Sequence, residues 1–317
     1  MIDKLEFFMA LAKARHFGRA AEKCHVSQPT LSVAVKKVEE ELGIQLFERS
    51  ASEVKITETG RRIVAQAERV LMEASQIQEI AAAGKDPLAG PLRVGVIYTI
   101  GPYLLPRLIP RVHQLAPRMP LIIQENFTAR LAEALKRGEL DVIIISLPFD
   151  EAGVVAQPVY DEPFRVLIPA DHPWNAESEI DPQHLADDQL LLLGAGNCFR
   201  DQVLEVCPSC RNIGGLQRTL EGSSLETIRH MVATGLGVTV LPSSAADEMA
   251  TQNPLVAVRP FTMPEPSRRV ALAWRVTYPR NGAIDVLRAA ILDSALPGVR
   301  PVGRAVPPGQ VPWVDSR

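Results

Sequence analysis

The sequence predicts a multidomain α/β protein with an N-terminal helix-turn-helix, a long connecting helix and a two-part α/β region. Up to Gly43 the chain holds three short runs of helical apolar periodicity separated by turn residues. Residues 61–83 then carry one long apolar stripe. From Leu92 onward strand-length apolar runs alternate with amphipathic helical ones, the pattern of an α/β sheet. At 317 residues the chain is long enough for two or more domains, each with its own core.

The first helix covers residues 3–13, with Leu5, Met9 and Ala12 on one face and Phe8 beside them. His16-Phe17-Gly18 makes a turn, and residues 19–24 form a second helix whose Ala20 and Ala21 permit close packing. After a tight turn at His25-Val26, Ser27 caps a third helix with Pro29 in its first turn. That helix, residues 28–42, is expected to bury Leu31, Val35, Val38 and Leu42 and to expose Gln28, Thr30, Ser32, Lys36 and Lys37. Gly43 ends it. Amide, hydroxyl and ammonium groups along one outward face suit a DNA major groove. A net charge of −3 argues against indiscriminate polyanion binding, so any nucleic-acid contact must come from such a local surface.

Residues 57–60 start the long helix, and Ile63, Ala67, Val70, Leu71, Ala74, Ile77 and Ile80 mark its stripe. A stripe of this kind predicts a partner helix, hence a homodimer presenting two recognition helices to a two-fold site. Residues 84–91 read as a hinge. Strands follow at 92–97, 121–125 and 140–146, with helices at 104–115 and 128–137. The almost wholly apolar 140–146 run is what a parallel sheet requires. A second run has strands at 163–169, 190–193, 237–241 and 268–274, and helices at 224–232 and 283–293. The proline-rich tail from Pro297 is expected to be disordered.

Three of the four cysteines, Cys198, Cys207 and Cys210, fall within thirteen residues. Residues 200–206 read as a short helix with Val203, Leu204 and Val206 as its apolar side, preceded by Gly196 and the capping residue Asn197. Cys198 then lies in the first turn, where unpaired N–H groups and the helix dipole favour a thiolate, with Arg200 as a nearby cation. A partly accessible thiolate is the nucleophile that reaction with a peroxide needs. Pro208 ends the helix after Cys207. At opposite ends of one helix, Cys198 and Cys207 have α-carbons about 13 Å apart. A disulfide requires about 4.4–6.8 Å, so bridging them would melt the helix. Cys207-Pro208-Ser209-Cys210 is also a C-x-x-C, but no βαβ unit surrounds it as in a thioredoxin-like dithiol, and a zinc site would need further ligands.

The composition is that of an ordinary soluble globular chain, 46% hydrophobic and 22% charged. Asp3, Lys4 and Glu6 break up any signal-peptide core, and no run of eighteen apolar residues occurs. Four unevenly spaced cysteines do not make a secreted disulfide framework. A cytoplasmic protein with no membrane partner, no metal and no cofactor is expected.

Phe17-Gly18-Arg19-Ala20-Ala21, Val26 to Ser32 and Leu42 to Arg49 together resemble the winged helix-turn-helix of LysR-type transcriptional regulators. The resemblance implies a wing over residues 50–56 after Phe47-Glu48-Arg49. It implies that Ser27, Gln28, Thr30, Ser32 and Lys36 face double-stranded promoter DNA, with Arg49 on phosphate. It also implies a two-subdomain, periplasmic-binding-protein-like regulatory domain. The implied boundaries are 1–60 for the DNA-binding domain, 61–90 for the linker helix and hinge, and 91–296 for the regulatory domain. Within the last, 91–163 and 268–296 form the first subdomain, 164–267 the second, and 297–317 is the tail. Residues 96–106, 196–202 and 223–229 further resemble the peroxide-sensing members of the family. That likeness implies that hydrogen peroxide oxidises Cys198, that Cys207 resolves the product as a reversible disulfide, and that Thr99, Thr128, Asn197, Asp201 and Arg268 form the peroxide pocket. A homotetramer and a thiol reductant that resets the switch are implied with it. Asn197 stands where several members carry His, and Cys210 is an additional thiol able to compete with Cys207. Two other readings remain. One is a LysR-type regulator of a small metabolite bound between the subdomains, with incidental cysteines; the other, disfavoured by the helix-turn-helix, is a thiol enzyme tethered to DNA.

Overall fold

The structure, a computed structural model, describes residues 2–49, 54–84, 86–212, 221–247 and 253–302. It divides into two units, Met1–Lys85 and Asp86–Arg317.

In the first unit α1 (Ile2–Ala14), α2 (Phe17–Lys23) and α3 (Gln28–Leu42) pack around Phe8, Leu11, Ala20, Leu31 and Val35. Leu11, not Leu5, completes the buried face of α1. Leu42 is exposed rather than buried, because α3 gives way there to Gly43 in the left-handed conformation at φ 66°. The short hairpin of β1 (Phe47–Arg49) and β2 (Val54–Ile56) is pinned by Glu39, whose Oε1 accepts from the N–H groups of Leu46 and Phe47 at 2.8 and 3.1 Å. Residues 50–53 of the expected wing lie outside the described residues. Thr57 caps α4 (Glu58–Ala83) through an N–H bond from Gly60 at 2.9 Å. Any Cβ at Gly60 would meet the Leu46 carbonyl oxygen at 2.4 Å, so only glycine fits. The stripe of α4 is divided. Ile63, Ala67 and Leu71 pack on the helical core of their own unit, whereas Val70 and Ile77 are exposed. Ile80's side chain lies outside the described residues.

The second unit is built on a mixed sheet of strand order β10-β6-β11-β5-β3-β4. Its strands are β3 (Leu92–Ile97), β4 (Leu121–Asn126), β5 (Val142–Ser146), β6 (Val154–Pro169), β10 (Val256–Pro260) and β11 (Ser267–Arg275). β3 is parallel to β4 and β5, as the apolar pattern predicts, while β11 runs antiparallel to β5 and β6. The sequence reading places the start of β6 nine residues too late. The strand spans sixteen residues, pairing with β11 from Val154 to Pro163 and with β10 and β9 (Thr239–Pro242) from Phe164 to Pro169. One strand therefore serves two hydrophobic clusters, the first drawn from residues between Leu92 and Leu296 and the second from Phe164 to Phe261. Helices α5 (Gly101–Leu115), α6 (Thr128–Lys136) and α10 (Asn281–Leu292) belong to the first part. The second part holds α7 (Cys198–Val206), α8 (Leu225–Ala233), α9 (Ser243–Ala246) and the two-residue strands β7 (Leu192–Leu193) and β8 (Glu221–Gly222).

The boundary between the two units falls inside the expected hinge, 84–91, and the second-unit end of that segment is held by Arg280, which donates to the carbonyls of Pro87, Gly90 and Pro91 at 3.1, 3.2 and 2.8 Å. The tail from Pro297 is ordered through Val302, because β12 (Arg300–Pro301) pairs with Asp161 and Tyr160 of β6. Residues 303–317 lie outside the described residues.

Candidate functional site

The outward face of α3 is the first candidate surface. Gln28, Thr30 and Lys36 are exposed there, and Ser32 is half-buried. Ser27 Oγ accepts from the Thr30 N–H at 3.3 Å and lies 2.7 Å from the Thr30 hydroxyl, so its first role is the helix cap. Lys36 Nζ lies 3.4 Å from Glu40, one turn along. Val33, which the sequence reading passed over, is 54% exposed in the middle of this face. Arg49's side chain is outside the described residues. Cys24 packs beside the helical core, where burial, followed by the Glu6 carboxylate, raises its thiol pKa.

The second site forms where α7 meets the ends of β3 and β4. α7 begins at Cys198, two residues earlier than its apolar periodicity suggests, because Phe199 is its anchor. Phe199 and Val203 are buried, whereas Leu204 and Val206 are only partly covered. The Phe199 ring meets Phe164 edge-on at 5.2 Å. Gly196 reverses the chain at φ 92° just before the helix. Asn197 occupies the cap position, yet its side chain makes no capping bond; Nδ2 instead donates to the Gly194 carbonyl at 2.9 Å and tightens that turn.

Cys198 carries a free, partly exposed thiol. It lines a small pocket with Ile97, Tyr98, Thr99, Asn126, Phe127, Thr128, Gly196 and Asn197, with about 200 Å³ of empty space including its mouth. The Thr128 hydroxyl donates to Cys198 Sγ at 3.7 Å. Thr99 is buried at the end of β3 and held from behind: Arg268 Nη1 donates to its Oγ1 and Nη2 to its carbonyl, both at 2.9 Å. With its oxygen already accepting, the Thr99 hydroxyl keeps its own proton for a neighbour.

Arg268 does not line the Cys198 pocket; it stands behind Thr99. Its Nε donates to Glu162 Oε2 at 2.8 Å, both side chains are fully buried, and the guanidinium lies 5.3 Å over the Phe199 ring. Glu162 in turn accepts from the Ser244 N–H at 3.0 Å. Sequence reasoning missed Glu162 because residues 154–162 were not read as strand, and no local signal marks it, since Arg268 comes opposite only through the pairing of β6 with β11. Arg200, expected as a cation beside the thiol, donates to the Leu193 carbonyl at 2.6 Å. Asp201 is exposed and does not line the pocket, since it lies on the outer side of the first turn of α7.

Two polar links tie this site to both parts of the unit. Gln202 on α7 donates to Ser146 Oγ and the Leu147 carbonyl at 2.8 and 3.3 Å. Tyr103 on α5 donates to Glu226 at 3.0 Å, and burial, with that carboxylate, pushes its phenol pKa far up. On the other side of α7 a much larger open cleft runs past Leu147–Asp150, Gln202, Glu205 and Thr262–Pro264. Cys207, the expected partner of Cys198, is paired with Cys210, the thiol expected to compete for it. Pro208 turns the chain into a 3₁₀ segment (Pro208–Asn212) that folds Cys210 back, and Cys207 and Cys210 are disulfide-bonded with α-carbons 5.4 Å apart.

Residues 2–61 match the family described as bacterial regulatory helix-turn-helix protein, lysR family, and residues 85–296 match the LysR substrate binding domain. The chain belongs to the LysR family. Within it, the chain is 39% identical over 291 residues to the DNA-binding transcriptional dual regulator OxyR of Escherichia coli (strain K12), covering 92% of this chain and 94% of that one. A hydrogen peroxide-inducible genes activator of Dickeya chrysanthemi is 38% identical over 293 residues, covering 92% and 95%. Among solved structures, a full-length OxyR from Pseudomonas aeruginosa with a cysteine-to-aspartate substitution aligns at TM-score 0.76 and 56% identity, over 94% of this chain and 96% of that one. A hydrogen-peroxide-bound OxyR cysteine mutant from Corynebacterium glutamicum aligns at TM-score 0.61 and 32% identity, over 93% and 92%. This LysR-family chain thus resembles OxyR proteins in both its DNA-binding and its regulatory parts.

Proposed function

We propose that this LysR-family regulator senses hydrogen peroxide through Cys198 and transmits its oxidation to promoter DNA. The observation that carries the reading is a free thiol at the start of α7, facing a pocket with room for about one water-sized molecule, with the Thr128 hydroxyl on its sulfur and Thr99 clamped behind. The thiolate attacks one peroxide oxygen, and hydroxyl donors fixed around the pocket stabilise charge on the departing oxygen. Cys207, once reduced, resolves the sulfenic acid as a Cys198–Cys207 disulfide. Because those residues flank α7, this bond requires the helix to unwind, which releases Gln202 from Ser146 and alters the packing between the two parts. Asn197 and Asp201 would act through the turn that presents Cys198.

On the DNA side, Ser27, Gln28, Thr30, Ser32, Lys36 and Arg49 form the contact set. The exposed Val70 and Ile77 of α4 supply the homodimer seam, and two dimers build the tetramer. The protein acts in the cytoplasm as a stoichiometric switch rather than an enzyme, and a thiol reductant resets it. The open cleft beyond α7 favours a second reading, in which a small metabolite is the effector.

The decisive experiment maps disulfides by mass spectrometry after one equivalent of hydrogen peroxide is added to reduced protein, with Cys198→Ser alongside and DNA footprints taken in parallel. Oxidation at Cys198 with an altered footprint, both absent from the variant, is expected. A Cys198 thiol that survives that dose would sink the peroxide reading and leave the metabolite one.

A further inference from the structure

The Cys207–Cys210 bond coexists with an intact α7, and its role as a signal terminator rests on the peroxide reading above. Their α-carbons, 5.4 Å apart, already lie in the range a disulfide needs, so this bridge forms without moving the backbone. Cys198 and Cys207 stand at the two ends of α7, about 13 Å apart at the helical rise. Joining them strips Phe199 and Val203 from the core and Gln202 from Ser146. The structure thus offers Cys207 two partners, Cys210 already within disulfide reach and Cys198 only if α7 unwinds, and thiol–disulfide exchange is the route from one to the other.

We propose that Cys210 ends the peroxide signal by taking over the disulfide. The Cys198 thiolate bonds to one peroxide oxygen, the O–O bond breaks, and the second oxygen leaves as hydroxide and is protonated to water. The Cys207 thiolate attacks the sulfenic sulfur, the S–S bond forms, and the S–O bond breaks with loss of a second water. The Cys210 thiolate then attacks Cys207 Sγ, the bond to Cys198 breaks, and Cys198 departs as a thiolate. In sum, one hydrogen peroxide is reduced to two waters while Cys207 and Cys210 are oxidised to a disulfide. α7 rewinds over a free Cys198, the arrangement this structure has. No resolving thiol remains, so the regulator is refractory until a dithiol reductant opens Cys207–Cys210. The extra cysteine makes the switch a pulse of limited length.

The test uses fully reduced full-length protein given one equivalent of hydrogen peroxide, quenched by alkylation at intervals and mapped for linked peptides. Wild type, Cys210→Ser, Cys210→Ala and Cys198→Ser are compared. In wild type the Cys198–Cys207 linkage is expected to appear first and then be lost as Cys207–Cys210 replaces it. In both Cys210 variants it persists. A Cys198–Cys207 linkage that stays in wild type, or that decays equally in the Cys210 variants, overturns the proposal. So does a Cys207–Cys210 linkage that forms as fast in Cys198→Ser. A different failure, no linkage through Cys198 in any protein, counts against the peroxide reading itself.

Discussion

Glu162→Gln isolates a fully buried part of the site. The substitution keeps side-chain shape but removes the counter-charge of Arg268, whose guanidinium is fully buried and makes bonds to Glu162, Thr99 Oγ1 and the Thr99 carbonyl. Breaking one side of a buried ion pair costs about 3–5 kcal/mol, because the surviving charge has no partner and no water. With a urea m-value of about 2.5 kcal/mol per molar, the unfolding midpoint falls by about 1–2 M. The readout is selective: residues 1–85 contain no tryptophan, and Trp174 and Trp274 lie in the second unit, so tryptophan fluorescence does not report the first. Adding Arg268→Met to Glu162→Gln removes the stranded cation and is expected to recover part of the midpoint, the unpaired Thr99 carbonyl holding back the rest. A single variant within about 0.3 M of wild type, or a double variant no better than the single, would refute the buried-pair reasoning.

Other outcomes follow from the same geometry. Thr128→Val removes the hydroxyl donor from Cys198 Sγ while keeping shape; losing one hydrogen bond, about 0.5–1.5 kcal/mol, slows sulfenic acid formation about 2- to 10-fold in stopped-flow peroxide assays. Lys36→Ala is expected to weaken binding to matched and unmatched DNA alike and to lower the slope of log affinity against log salt by about 1; an unchanged slope removes Lys36 from the phosphate contacts. Asp161 accepts two bonds from Arg269 at 2.7 and 2.9 Å, and that bonding, against a smaller opposing effect of burial, lowers its pKa. A lowered carboxyl contributes stability above its ordinary pKa and loses it as pH falls through the lowered value. The midpoint difference between wild type and Asp161→Asn should therefore be present at neutral pH and vanish in acid; a difference that grows in acid contradicts the assignment.

Local periodicity and punctuation were enough to find most elements here. Ser27, Pro29 and Gly43 bound α3 because caps and terminators act within one turn of the residues they control. The parallel β3–β5 core was legible because a strand covered on both faces must be apolar throughout. The cysteine cluster and the helix between Cys198 and Cys207 could likewise be placed from spacing alone. What the sequence by itself could not determine is what those elements meet. The part of β6 that pairs with β11 carries Gln157, Asp161 and Glu162 and does not look like strand until β11 is known to lie beside it. Arg268 looked like a pocket residue and became a clamp only through Glu162, which is 106 positions away in the chain. Phe199 anchors α7 because Phe164 faces it, and Cys207 is bonded because a 3₁₀ turn brings Cys210 back. Backbone caps and apolar periods are short-range and repeat along the chain. Ion pairs and thiol pairs depend on single side chains brought together by the sheet, so only the tertiary structure could decide them.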